Sequence, residues 1–584
     1  SSFDETVIQH GAEFNLGIHK YDEENYSPQG HKYIREFDCD SCPKTIYRVG
    51  GVVLSKEKMF SLEDNAFWIR YTLLDAHSPT TLKFRPFLAF RNVNALTSEN
   101  PSVSKEYKEV ENGISTCLYT GYPDLYMQFN KSVKFTSDPM WYKGIEYKAD
   151  MEQGYPYKED LFVPGYFELS IEKGESIVFA ASDKQSETER LIELFDRGIG
   201  LRTPRSSFFN CMKNSAHQFY YQPNGSELYL LEGYPWSEAV DAREQFMALG
   251  AITLCLSKEY AFDKIMDTAM PAIRQLLHGK KITGLIRGMD EADVLLWIVH
   301  SINMYAKIKP DHCVEKYGTL IIDIVRFISQ NKHPELHMFD NGLVAVQAGE
   351  KPTNWMKGMI NGQPAAYRSG CLVDHNALWY SAVMYASEIE LARKSEKRHK
   401  ELAVLADKIK KSFLDTFRNS AGYLYDFVDG EKVSWSVRPN MLFPIIIDYT
   451  LLEKREEKAI LDLMTRELLT PKGLRSLSPK SEGYSPYGVG TPEERMYAMY
   501  NGMAHVRLIT LYFDAYMKIH KRGSVSLIER ILVDIEHEMS NDCIGSLSEA
   551  YDGAPPYASM GAFSHMQSVA AIVRILTQLD KLED

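Results

Sequence analysis

The sequence contains no apolar run approaching the ~18 residues needed to span a bilayer, and no signal peptide is visible at its start. It also has no run of Lys or Arg: 66 basic residues face 79 acidic ones, for a net charge of -13. Without a phosphate-tracking basic stripe, neither nucleic acid nor an anionic membrane is an expected partner. Cysteine is scarce, with 8 in 584 residues, and only Cys39 and Cys42 form a C-x-x-C pair. No second pair or His cluster completes a zinc site, so no metal or other cofactor is expected, and reduced thiols in a cytoplasmic compartment are. Low-complexity tracts are missing as well, and 44% hydrophobic with 25% charged residues is a folded-protein balance. Nothing in the sequence specifies an oligomeric state.

Aromatic residues are abundant, with 35 Tyr and 27 Phe. Most are expected in cores, but flat apolar rings also stack on the C–H faces of sugars. A chain of 584 residues exceeds one ordinary core, so more than one domain is expected. Up to about residue 200 the pattern has period two. In "FWIRYTLL", Phe67, Ile69, Tyr71 and Leu73 alternate with more polar neighbours, and "LKFRPFLAF" does the same from Leu82 and Phe84. "YFELSIEKGESIVFAAS" reads as a hairpin, with Phe167, Leu169 and Ile171 answered across Lys173-Gly174 by Ile177 and Phe179. These features predict an antiparallel β-sandwich over 1–182, entered partway through because the chain opens at Ser1 inside strand-like sequence.

After Pro204 the period becomes helical. Asp290 is the expected N-cap of a helix through "VLLWIVHSINMYAKI", and Leu402, Leu405, Ile409 and Phe413 form one stripe. Further helices are expected at 242–256, 373–393, 455–468, 495–519, 525–538 and 564–580. Loops rich in Gly, Pro and aromatics join them, which predicts an all-α toroid over 206–584 with a site built from loops at one end. The segment 183–205 is expected as a helical linker.

Several of these loops carry a resemblance. "LEGYPW", "EADVLLW", "NGLVAVQAGEKPTNWM", "RSGCLVDHNALWYSAV", "WSVRPNMLF", "LLTPKGLRSLSPK" and "IGSLSEAYDGAPPY" occur in the order of the bacterial glycogen debranching enzyme family, in its amylo-α-1,6-glucosidase part. The region around Glu549 also resembles glucoamylases. The resemblance implies an (α/α)6 toroid after an N-terminal β domain, no metal, and inverting hydrolysis of α-1,6-linked glucose stubs in glycogen or a branched α-glucan. The chain lacks a visible domain for the 4-α-glucanotransferase step.

By the same resemblance Glu549, in "GSLSE", takes the general-base position; read as a residue alone it is a turn carboxylate. Trp236 and Trp355 are candidate stacking platforms, Arg243 and Glu244 stand where the family pair grips the terminal glucose, and Asp293 matches a pocket-facing position, with helix capping as its alternative. Arg368, Asn376, Arg438, Asn440 and Arg475 match family positions that could bind hydroxyls, and each could instead cap a helix or pair with a carboxylate. Three places depart from the family pattern. The acid of its Trp-Met-Asp loop is replaced by Lys357, Glu244 stands where the family has Asp, and "MYNGMAHVRLI" replaces His-Gln-Gly-Thr-Val-Trp-Pro-Trp. Asp374 is the nearest substitute acid in sequence, with a helix N-terminal carboxylate as its alternative. Two functions follow: a glycoside hydrolase of the amylo-α-1,6-glucosidase type, or an inactive α-glucan-binding or assembly subunit that kept the fold and lost its acid.

Overall fold

Alternating residues in the first two hundred positions line two antiparallel sheets, of five and eight strands. The computed structural model describes residues 2–61, 64–237, 239–349 and 351–583. Leu82, Phe84, Phe167 and Leu169 from the first sheet share one buried core with Ile69, Tyr71, Leu73, Ile177 and Phe179 from the second. That shared core makes the unit Ser1–Ser206 a β-sandwich.

The expected hairpin at 166–182 is different in kind. Strand Lys158–Ile171 pairs with Thr80–Phe87 and Lys134–Glu146, whereas Ser176–Ser182 pairs with Leu125–Phe129 and Ala66–Asp75. The turn with Gly174 at φ +84° therefore carries the chain from one sheet to the other. Both apolar faces point into the same core, so the alternation survives while the pairing does not. The segment expected as a linker contains helix α1 (Leu191–Gly200), whose Leu191 and Phe195 pack on Trp68 and Val178.

The second unit, Ser207–Asp584, is helical. Six helices contact one another in a closed ring: α2 (Ala242–Thr253), α3 (Val294–Ala306), α4 (Val373–Ala392), α5 (Phe443–Ile446), α6 (Ile509–His520) and α7 (Met566–Glu583), with α7 returning to α2. Outer helices such as Glu259–Leu277, Pro310–Ser329 and Glu396–Phe417 pack around this ring. The sequences explain the two layers. α4 is buried on nearly every side, whereas Glu396–Phe417 buries only the stripe Ala406, Ile409, Phe413 and Phe417. The architecture is an (α/α)6 toroid. Among the described residues no helix is long and apolar enough to cross a membrane.

Two local expectations shift. The N-cap of α3 is Asp293, and Asp290 instead pairs with Lys351 at 2.7 Å. The helix expected at 495–519 is broken: Pro492–Tyr500 ends at Asn501, and α6 starts at Ile509. Between them Gly502, at φ +156°, presses so close to Ser485 that a Cβ would lie 2.4 Å from its carbonyl oxygen. Ala504–His505 then pairs with Gly473–Arg475 and Ala550–Tyr551. The break brings His505 and Arg507 to the end of the ring that also holds Glu549.

Candidate active site

Glu549 is positioned by backbone. Its N–H donates to the Ala562 carbonyl at 2.9 Å, and the Ala562 N–H donates back to Oε2 at 3.0 Å. Gly561, at φ +79°, leaves the room; a Cβ there would fall 2.4 Å from Oε2. The other side of the same segment is held by Glu232 and its neighbours. Gly233–Tyr234 pairs with Ser564–His565, and the Met566 N–H donates to the Glu232 carbonyl at 2.7 Å. Residues 562–566 are thus the common strut between two carboxylate-bearing segments.

Glu232 gave no sequence signal beyond lying in "LEGYPW". Burial first, then the negative charges of Glu244, Glu549 and Asp241, push its carboxyl up to about 7, with Lys357 opposing them. The Lys357 ammonium lies on the Glu232 carboxylate, 3.3 Å from Asp241 Oδ2 and 3.6 Å from Glu244 Oε1. Burial alone would lower the Lys357 pKa, but the surrounding carboxylates win and hold it well above the usual lysine value. Lys357 is therefore a fixed cation and no proton donor at neutral pH.

Glu244 is fully buried and accepts from Arg507 at 3.1 Å. Burial would raise its carboxyl pKa, yet Arg507 and Lys357 hold it below the ordinary range. The three departures from the family pattern, at 244, 357 and 499–509, therefore meet in one ionic cluster. Glu244 Oε2, Arg507 Nε and His565 Nε2 are buried within it and have no protein partner among the described residues. Ligand atoms of Glu232, Glu244 and His565 also lie within 4.8 Å of one another, a possible donor set for a cation. The Lys357 ammonium already neutralises those carboxylates, so a metal ion would have to displace it.

The other expected site residues divide into two groups. Trp236 packs against Phe563 at a tilt of 59°, with ring centroids 5.0 Å apart, and stays partly open beside the Glu549 strut. Arg243 is buried and gives its guanidinium to Asp293 at 2.8 Å, Glu291 at 2.5 Å and the Pro352 carbonyl. Asp293 also accepts from Trp297 at 3.0 Å, so that tryptophan is locked at the inner wall. Arg475 donates to the carbonyls of Gly553 at 2.6 Å and Glu467 at 3.1 Å, bracing the loop after Glu549.

A second group is an anchor. Arg368 grips Asp374 through two bonds, of 3.0 and 2.8 Å, and also Asp426 at 2.8 Å. Asp374 accepts from Asn354 at 3.0 Å. Trp355 donates to Asn440 at 2.8 Å, which donates to Asp426 at 2.9 Å, and Arg438 holds the Tyr500 carbonyl at 2.7 Å. Asn376 is consumed by the backbone of Val344 and Leu372. This buried network fixes the 354–357 loop that presents Lys357. It also corrects the role considered for Asp374. Burial would raise its carboxyl pKa, but Arg368 overrides burial and holds it down at about 2, so it keeps no proton to give.

A ring of paired helices, with a carboxylate-bearing site in the loops at one end, has the architecture of a glycoside hydrolase. Residues 213–574 match the family model described as Amylo-alpha-1,6-glucosidase, and residues 1–178 match that for Glycogen debranching enzyme N terminal. The chain belongs to the amylo-α-1,6-glucosidase family. A crystal structure of bacterial glucoamylase complexed with acarbose shares the fold, with a TM-score of 0.61 at 11% identity over 99% of this chain and 88% of that one. No curated protein sequence matches.

Proposed function

We propose that this protein is an inverting hydrolase of α-1,6-linked glucose stubs on glycogen or a related branched α-glucan, with Glu549 as base and Glu232 as acid. One observation carries this reading: the substituted positions form a paired cluster that places a high-pKa carboxyl where the lost acid loop now offers a cation. A decaying site would leave unmatched charges. Here Lys357 is answered by Glu232, and Glu244 by Arg507.

In this scheme the Glu232 carboxyl protonates the glycosidic oxygen as the bond to the anomeric carbon breaks. Glu549 takes a proton from water as the water oxygen bonds to that carbon from the opposite face, and solvent restores both groups. Inversion needs about 6.5–9.5 Å between the carboxyls, with a water between base and sugar. Trp236, partly exposed beside the Glu549 strut, offers a stacking face for the sugar.

The test is the product. Native protein incubated with a branched limit dextrin should release glucose whose first-formed anomer, read by NMR, is β. Release of the α anomer would refute inversion. Absence of any release, with binding to the dextrin retained, would instead establish the inactive binding subunit.

Lys357 supports a second expectation. Its ammonium holds the Glu232 pKa down, so in Lys357→Met that pKa should climb above about 7. The acid must be protonated, and activity is lost as pH rises through its pKa. The alkaline limb of the kcat/KM profile should therefore move to higher pH in the variant. An unmoved limb would remove Glu232 from the acid role.

A further inference from the structure

Trp435 is an anomaly on this surface. It is one of 7 tryptophans in the chain, yet 45% of its surface is exposed. It is also held rigidly. Tyr425 meets it edge-on at 4.9 Å and 86°, Tyr423 at 6.3 Å and 76°, and the Tyr423 hydroxyl donates to the Trp435 carbonyl at 3.2 Å. An exposed indole braced by two perpendicular rings loses little further freedom when a ligand stacks on it.

The indole lines a cleft of about 770 Å³, within the range of ~300–1,000 Å³ typical of small-molecule sites. The remaining wall is mixed in hydrogen-bonding character. Lys480 and Arg466 both lean on the buried Glu467, at 3.0 and 3.5 Å, while exposed Glu482 supplies an acceptor. One flat apolar face surrounded by donors and acceptors of both signs suits a hexose, which presents C–H groups on its faces and hydroxyls around its edge.

The position of the cleft identifies the kind of sugar. Val437 forms part of its wall, and the next residue, Arg438, reaches the Tyr500 carbonyl and, at 3.7 Å, the Met356 sulfur beside Lys357. The strip 435–438 is thus a partition, with Trp435 on one side and the Lys357 loop on the other.

We propose that the Trp435 cleft is a second carbohydrate site, which holds a neighbouring chain of the same branched α-glucan while a stub occupies the Glu549 site. This inference rests on the α-glucan reading for its ligand, but binding here requires no turnover. The experiment is affinity electrophoresis through gels containing glycogen, with Glu549→Gln as parent so that nothing is hydrolysed. Adding Trp435→Ala should weaken retention about tenfold or more, and Trp435→Phe should restore part of it. Far-ultraviolet circular dichroism checks that each variant is folded. Equal retention of the folded Trp435→Ala protein and its parent would overturn the second site, as would a parent that is not retained. Neither result bears on glucose release by the native protein, which tests the hydrolase reading separately.

Discussion

Glu549→Gln should lower glucose release from a branched α-glucan by about 10³-fold or more, and Glu232→Gln by about 10²–10⁴-fold, with each variant still folded. The substitutions are nearly isosteric, and each removes one proton-transfer function. The Glu549 amide can still accept the 3.0 Å bond from the Ala562 N–H, so the strut at 562–566 should persist. The pH profiles separate the two roles. In native protein the alkaline limb should lie near the raised Glu232 value of about 7, since the acid works only while protonated. In Glu232→Gln that limb should vanish from the residual activity. In Glu549→Gln it should persist at a much lower rate and shift to lower pH, because the Glu549 charge that helps raise the Glu232 pKa is gone. A Glu232→Gln enzyme with native kcat would leave the site without its proposed acid.

This pair of outcomes also decides between hydrolase and binding subunit. If loss of the Trp-Met-Asp acid had ended catalysis, no selection would hold a carboxyl against Lys357, and Glu232→Gln would change nothing but stability. The geometry makes the opposite expectation reasonable. Glu232 faces the Lys357 loop, and burial raises its pKa against the ammonium beside it.

How much of this was legible beforehand depends on distance along the chain. The toroid was legible because inner helices such as α3 are apolar on nearly every side while outer ones such as Glu396–Phe417 carry a single stripe. The sheet crossing at 171–176 was not, since period two reports which face is buried and says nothing about which strand lies alongside. Glu549 was singled out through its motif. Glu232 was missed because its partner Lys357 lies 125 residues away, and Arg507 because Glu244 lies 263 residues away. Nothing local distinguishes a glutamate before Gly-Tyr-Pro from a turn residue. Arg368, Asn376, Arg438 and Asn440 misled for a related reason: buried scaffolding and sugar binding use the same polar side chains, and only the partners tell them apart.

That scaffolding gives the largest stability effect. Arg368 has no exposed side-chain surface, and it bridges Asp374 and Asp426, both buried. Arg368→Met keeps much of the volume but strips the guanidinium from buried Asp374 and leaves Asp426 with Asn440 and a 3.8 Å contact to Arg438, and breaking such a buried pair costs about 3–5 kcal/mol. Thermal unfolding followed by circular dichroism should show the variant melting several degrees below native at pH 7. The pH dependence should also reverse sign. In native protein the Asp374 pKa is depressed to about 2, so its contribution is present above the unfolded value of ~3.9 and is lost as pH falls toward 2. Without Arg368, burial raises the same pKa, and protonation relieves the penalty as pH falls. The gap between variant and native should therefore shrink at acid pH. Because Asp374 holds Asn354, and Asn354 in turn accepts the Met356 N–H at 3.0 Å, the loop carrying Lys357 should loosen as well. Activity should then fall even at temperatures where the variant remains folded. A variant that melts within about one degree of native at pH 7 would mean that the Arg368 bridge does not anchor this loop.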